Sequence, residues 1–323
     1  MRLEHYDLTP PITEFPLSQG VNNTIVGIRT GNGDYALKQI HAPHSFESLQ
    51  YEHDLLRWLS KQSLPFAVPA PVETRSGQTH YQDEKGHHIL MPLLQGQRPN
   101  YDNPIQIQAI GTALGELQIA LRTYPTTPRP NTVAFGNLNN IHPRIPDPQS
   151  LTPQDIGWSQ TSATHQLCDW WREEMASLNA FLTHTYPILP TQVIHGDVAP
   201  SNTLFINNTI SAILDFEFSC PDVRIIDVAS GLKFSMRIDE NDNPWEIGAH
   251  FIQGYQSKIK LTELECASLI DTMILRDVVS TIWWLGRNLD DNKIPETNRM
   301  EDLRSFKTWL ITHRTQLEDL WAQ

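Results

Sequence analysis

Val193–Ile226 reads VIHGDVAPSNTLFINNTISAILDFEFSCPDVRII. Two short apolar runs within it, Thr203–Ile206 and Ser211–Leu214, have the composition of strands, and Asn207-Asn208 supplies a turn between them. Asp197 precedes this hairpin, Asn202 stands at its entrance and Asp215 at its exit. The layout predicts three oxygen-bearing side chains at one end of a small rigid ribbon. One of them suits a base, and two suit a hard divalent cation, which prefers oxygen ligands. Asp and Asn are also common turn formers, but turn chemistry alone does not account for the combined spacing.

Protein kinases carry His-Arg-Asp, four residues, Asn, and later Asp-Phe-Gly. Here the text is His195-Gly196-Asp197, Val-Ala-Pro-Ser, Asn202, and then Asp215-Phe216-Glu217. On these residues the stretch resembles the catalytic segment of the protein-kinase-like phosphotransferases that act on small molecules, a group of aminoglycoside phosphotransferases, choline kinases and kinase-like homoserine kinases. Gly196 and Glu217 stand as in the small-molecule branch, and no Ala-Pro-Glu follows, which disfavours a protein substrate. The run FEFSCPDVRIIDVASG resembles the homoserine kinase branch most. The resemblance implies an α+β, two-lobed protein-kinase-like fold, with residues 1–94 as a β-rich nucleotide-binding lobe and 95–323 as a mainly helical catalytic and acceptor-binding lobe. It also implies ATP and Mg²⁺ as cofactors, Asp197 as the catalytic group, and Asn202 and Asp215 as metal ligands.

Composition bounds the alternatives. The chain has 323 residues, enough for two lobes with real cores, with 39% hydrophobic and 19% charged residues. A net charge of −13 disfavours nucleic acid and anionic membranes as partners, and leaves room for a local phosphate site. Cys168, Cys220 and Cys266 are far apart and form no CxxC, so reduced thiols in a cytoplasmic protein are expected. The N-terminal residues lack the apolar core of a signal peptide, and no apolar run approaches the roughly 18 residues that span a bilayer. Oligomeric state is left open.

Upstream, residues 1–16 read as a Pro-rich extended lead-in, and 17–40 as strands around a turn at Gly31–Gly33. Gly20, Asn22 and Asn23 fall where the family's nucleotide loop belongs, and small residues there admit phosphate to backbone N–H groups. Lys38, in Tyr35-Ala-Leu-Lys-Gln-Ile, is similar to the phosphate-binding lysine of the family. The stretch 45–62 predicts a helix with Ser45 as N-cap and Leu49, Leu55, Leu56 and Leu59 on its apolar side. Glu52 is the expected partner of Lys38, with Glu47 and Asp54 as competitors. A Glu-Lys-Gly turn then separates two strands, and Met91–Gly96 matches the family hinge that meets the adenine edge, with Met91 as its contact. Residues 104–122 predict a core helix with Ile107, Ile110, Leu114, Leu117 and Leu121 at three and four spacing.

Residues 125–160, rich in Pro, Asn and Thr, read as a long irregular connection that is either functional or mobile. Helices are expected over 163–184 and through 244–323, with 262–289 as a central core helix. Asp227 is expected as a buried structural carboxylate. Glu217 and Arg287 are candidate acceptor contacts, Arg287 through a carboxylate fork, while the Trp283-Trp284 pair offers a face to a substrate cation. The expected function is transfer of the ATP γ-phosphate to the hydroxyl of a small molecule, foremost an amino-bearing alcohol such as homoserine. Choline, ethanolamine, a sugar or an aminoglycoside are alternative acceptors. A catalytically inactive, kinase-shaped nucleotide-binding protein is the alternative of another class, and retention of Lys38, Asp197, Asn202 and Asp215 together argues against it.

Overall fold

The computed structural model describes residues 3–17, 23–40, 46–127, 129, 132–241 and 243–321. The N-terminal part is an antiparallel sheet of β1 (Thr13–Pro16), β2 (Asn23–Thr30), β3 (Gly33–Ile40), β4 (Tyr81–Asp83) and β5 (Gly86–Pro92), in the order β1-β2-β3-β5-β4. β2 and β3 pair from Thr30↔Gly33 to Asn23↔Ile40, so the Gly31–Gly33 turn sets their register. Helix α1 (Phe46–Leu59) has Leu49 against Ile40 and Ile89 of the sheet, while Leu55, Leu56 and Leu59 join the main core. Ser45, expected as its N-cap, lies outside the described residues. The N-terminal lead-in is more than a lead-in. Its end is strand β1, and Tyr6 and Leu8 are buried with Ile28, Leu37 and Leu90.

The rest is mainly helical: α2 (Pro104–Leu121), α3 (Ser162–His184), α4 (Ile225–Met236), α5 (Pro244–Gln256), α6 (Glu263–Asp290), α7 (Asn298–Thr312) and α8 (Arg314–Trp321). Asn103 caps α2 by accepting from the Ile105 N–H, with Pro104 in the first turn. Ile107, Ile110, Leu114, Leu117 and Leu121 are all buried, as the three and four spacing predicts. Helices α2 and α5 meet backbone to backbone. A Cβ on Gly111 would lie 2.0 Å from the Phe251 carbonyl oxygen, and one on Gly254 2.0 Å from that of Gln108.

Two small ribbons position the chemistry. Strands β6 (Thr191–Ile194) and β9 (Cys220–Val223) pair antiparallel, as do β7 (Thr203–Ile206) and β8 (Thr209–Ile213). Asn207 turns with φ 57°, and β8 starts two residues before the expected Ser211 because the tight turn lets pairing begin at Ile206↔Thr209. The β7–β8 hairpin binds the other half of the chain through Ala67, whose N–H donates to Ser211 O at 2.9 Å and whose carbonyl accepts from Ile213 at 3.0 Å.

Among its described residues the 125–160 connection has little regular structure, with short 3-10 turns at Leu138–Asn140 and Pro148–Ser150. It is packed all the same. Phe135, Leu138, Ile145, Leu151, Ile156 and Trp158 lie in the main core, and the indoles of Trp158 and Trp171 donate to Pro295 O and Pro148 O at 2.6 and 2.7 Å. Cys168, Cys220 and Cys266 are free. No described helix is long and apolar enough to cross a membrane.

Candidate active site

Strand β6 delivers His195-Gly196-Asp197 into a loop that is fixed from three sides. The His195 and Gly196 N–H groups donate to the two oxygens of Asp227, at 2.9 and 2.8 Å. Asp227 sits in the first turn of α4 and is fully buried, and burial pushes its pKa up against the lowering by His195 and the two N–H donors. The His195 ring bridges the ribbons: Nε2–H donates to Leu214 O at 2.9 Å, and Nδ1 accepts the Asp197 N–H at 3.2 Å. Gly196 has φ 83°, and a Cβ there would meet the Phe218 carbonyl oxygen at 2.5 Å, so both conformation and space demand glycine. Replacing Asp227 by alanine orphans two buried N–H groups at roughly 1–3 kcal/mol each. A stability loss of about 3 kcal/mol in chemical denaturation is the expected result, and a loss under about 1 kcal/mol is incompatible with this role.

Asp197, Asn202 and Asp215 come together as the spacing predicts. Asn202 Nδ2 donates to the Asp197 carbonyl at 2.9 Å and to its Oδ2 at 3.0 Å, which turns the amide Oδ1 the other way. The Leu214 N–H donates to Asn202 O at 2.8 Å, tying the hairpin's entrance to its exit. Asp215 holds φ 67°, the left-handed region that a non-glycine residue enters at a cost and that concentrates at functional sites. Its pKa is raised to about 7, first by burial and then by Glu217, with Lys38 opposing and Asp197 and Glu52 adding to the rise. Carboxylates crowded enough to hold a proton near neutral pH form a site that a cation relieves. Among the described residues no group of three or more His, Cys, Asp and Glu forms a ready metal cage. Mg²⁺ needs none, since it keeps water and takes one or two protein oxygens beside phosphate. The donor set of Asp215 and Asn202 therefore fits Mg²⁺.

Lys38 on β3 points into the same cluster, 3.6 Å from Glu217 Oε2, and both side chains are 12% exposed. Burial lowers its pKa, but Glu52, Glu217 and Asp215 outweigh burial and raise it, so the ammonium stays charged. The expected Lys38–Glu52 ion pair is a correction. Glu52 acts on Lys38 through space, while its direct partner is Arg129, Nη2 to Oε2 at 3.1 Å. Arg129 is buried, and it also donates to Ser48 Oγ at 3.1 Å and to the carbonyls of Phe216 and Ser219 at 3.2 and 3.0 Å. Glu217, expected as an acceptor contact, stands at the Lys38 end of the cluster.

Gly20 and Asn22 lie outside the described residues, and Asn23 opens β2 opposite Ile40. Met91 lies opposite Ala36 near the end of β5, and two residues on the Leu93 N–H donates to Asp34 O at 2.9 Å. Arg287 is not brought to the cluster. It stacks on Trp283 and Trp284, with its Cζ 5.0 and 5.9 Å from their ring centroids. The arginine that does reach Asp197 is Arg276 on α6, with Nη2 2.8 Å from Oδ1. It precedes Arg287 by about three turns, roughly 16 Å of helix. Sequence reading missed it, although an arginine three residues from both Met273 and Val279, on the stripe they bury, is a detectable break in α6's apolar face.

Asp197 opens onto a cavity of about 430 Å³ lined by Tyr101, Ser201, Phe234, Arg237 and Glu240 among others. Arg237 ends α4 in the left-handed region at φ 44°, ion-paired to Glu240 and with its Cζ 4.6 Å from the Tyr101 ring centroid. A second cavity, about 240 Å³, lies beyond Phe234 and Arg237 among Lys233, Asp277, Arg299 and Asp302, and does not include Asp197.

Residues 15–258 match the model of the phosphotransferase enzyme family. The chain belongs to that family. It is a kinase of small molecules with the two-lobed protein-kinase-like fold. Among its relatives, the homoserine kinase of Bradyrhizobium sp. is 25% identical over 268 residues, 83% of this chain and 77% of that one. The homoserine kinase of Brucella abortus is 26% identical over 270 residues, 83% of this chain and 77% of that one. Among solved structures, a microcompartment-associated aminopropanol kinase superposes with a TM-score of 0.69 at 17% identity, covering 98% of this kinase and 97% of that chain. An amicoumacin kinase bound to AMP-PNP and Ca²⁺ gives 0.65 at 17% identity over 98% and 90%. At that identity the likeness of structure speaks for the fold.

Proposed function

We propose that this kinase transfers the γ-phosphate of ATP, with Mg²⁺, to the hydroxyl of a small amino-bearing alcohol, homoserine foremost. Residues 1–94 serve as the nucleotide lobe in this reading, and 95–323 as the catalytic and acceptor lobe. One observation carries it: Asp197 stands where the carboxylate cluster of Asp215, Glu217 and Glu52 around Lys38 adjoins the 430 Å³ cavity. Phosphoryl transfer asks the protein mainly for positioning and for charge placed where charge develops. Asp197, with Oδ2 oriented by Asn202, faces the acceptor hydroxyl and takes its proton. Asp215 and Asn202 Oδ1 are the oxygens offered to Mg²⁺. Held by these two residues, Mg²⁺ would supply positive charge against the phosphates. Lys38 binds phosphate oxygens, held in place by Glu217 and the field of Glu52. The Phe234 ring offers a face to an ammonium group on the acceptor, while Tyr101 and Glu240 are engaged by Arg237, and both relatives named above are homoserine kinases.

An ATP-consumption screen over hydroxy amino acids, amino alcohols and sugars tests the reading. Mg²⁺-dependent turnover with homoserine is the expected result. No turnover with any of these acceptors, or turnover confined to sugars, refutes it.

A further inference from the structure

Both oxygens of Asp197 are occupied. Asn202 Nδ2 lies 3.0 Å from Oδ2, and Arg276 Nη2 lies 2.8 Å from Oδ1. An acceptor hydroxyl that must reach this carboxylate therefore meets a cation already there. Arg276 itself is under-used. Its side chain is 13% exposed and its Cζ lies 5.5 Å from the centroid of the Phe135 ring, yet its buried Nε has no hydrogen-bond acceptor among the described residues. The side of a guanidinium formed by Nε and Nη2 is a fork that a carboxylate fills with two parallel bonds. Asp197 fills one prong only. A buried donor left unmade is costly, so a ligand that fills both prongs competes well against the one-pronged contact.

We infer that Arg276 reads a carboxylate on the phosphate acceptor, and that by turning to it Arg276 uncovers Asp197 Oδ1 for the acceptor's hydroxyl. This rests on the reading of Asp197 given above and narrows the acceptor to a hydroxy amino acid. The cavity beside Asp197 offers the Phe234 ring to the ammonium, with Glu240 and Tyr101 held by Arg237, and Arg276 supplies a cation at the reacting end, on Asp197 itself. An amino alcohol without a carboxylate leaves the Arg276–Asp197 pair closed, which selects against it by obstruction rather than by lost contact. In the step that follows, the hydroxyl proton passes to Asp197 and the hydroxyl oxygen bonds to the γ-phosphorus. The bond from that phosphorus to the β,γ-bridging oxygen breaks, and ADP leaves with the electron pair.

The two acceptors that separate the roles are homoserine and 3-aminopropan-1-ol, its counterpart without the carboxylate. The wild-type chain favours homoserine. With Arg276→Gln, kcat/KM for homoserine falls about 10- to 100-fold, mainly through KM, as the loss of a forked charged contact requires. With the same variant kcat for 3-aminopropan-1-ol rises several-fold, because Oδ1 is no longer covered, and Arg276→Lys is intermediate for homoserine. A parallel fall for both acceptors, or a wild-type preference for the amino alcohol, overturns the inference while leaving a kinase. Turnover of no acceptor by the wild type overturns the functional reading and the inference with it. An independent measurement needs no variant: 2-aminobutyrate, which has the carboxylate and lacks the hydroxyl, should compete with homoserine where propylamine does not. Equal inhibition by the two amines counts against a carboxylate-reading arginine.

Discussion

Asp197→Ala should lower the maximal rate of phosphoryl transfer by about 10²–10⁴-fold, the range in which a positioned general base contributes. Nucleotide affinity should change little. Asp197 is held by Asn202 and Arg276, and in the proposed reading it faces the acceptor, whereas Asp215 and Lys38 face the phosphates. Single-turnover kinetics with saturating ATP isolates the transfer step, and a nucleotide titration followed by intrinsic fluorescence checks binding. Transfer within about threefold of wild type is too small a loss for a base that contributes 10²–10⁴ and removes Asp197 from the reaction. The fold should survive, because Asp197 is only partly buried and the loop is anchored by Asp227 through the two preceding N–H groups.

Asp215→Ala should act on the other half of the site. Outer-shell partners alone are worth about 10–100-fold in metal affinity, so loss of a direct carboxylate ligand should weaken Mg-dependent nucleotide binding by about 100-fold or more. Isothermal titration with and without Mg²⁺ checks this, and an unchanged Mg²⁺ dependence contradicts the assignment. A pH signature accompanies it. The Asp215 carboxyl titrates near 3.8 when unfolded, and burial with the Glu217 charge raises it to about 7 in the folded chain. Between those values the folded state holds the proton that the unfolded state has lost. Stability of the metal-free protein from this group is therefore greatest in acid and declines as pH rises from about 4 to about 7. A bound cation must displace that proton, so the thermal stabilisation by Mg·ATP should be larger at pH 8 than at pH 6, and Asp215→Ala should flatten the difference.

Some of this was legible in the residues and some was not. HGDxxxxN followed by an apolar-Asp-Phe run fixes a loop, a hairpin and three converging side chains within 21 residues, because each contact is local along the chain. The apolar faces of α2, α3 and α6 follow from helical spacing, with Ile107 and Leu117 buried to 0% as their positions require. Partners that arrive from far away leave no such trace. Glu52 was matched with Lys38 on the strength of resemblance, and the structure gives it Arg129, 77 residues on, from a stretch whose Pro-rich composition hides any pattern. The irregularity of 125–160 was legible in its composition, but its packing was not, since Phe135, Leu138 and Trp158 are isolated anchors with no period to read. Arg287 drew attention through its Trp-Trp context, which turned out to be the stack that occupies it, while Arg276 reaches Asp197 by helix geometry alone.

Arg129 has one more implication. Its guanidinium is a bolt: it clamps Ser48 and Glu52 of α1 to the backbone just after Asp215. Swinging α1 outward would strand a buried cation and its carboxylate, at about 3–5 kcal/mol, which leaves fewer than roughly one molecule in a hundred in such a displaced form. The position of α1 is thus tied to the loop that carries Asp215, so the two move as one piece.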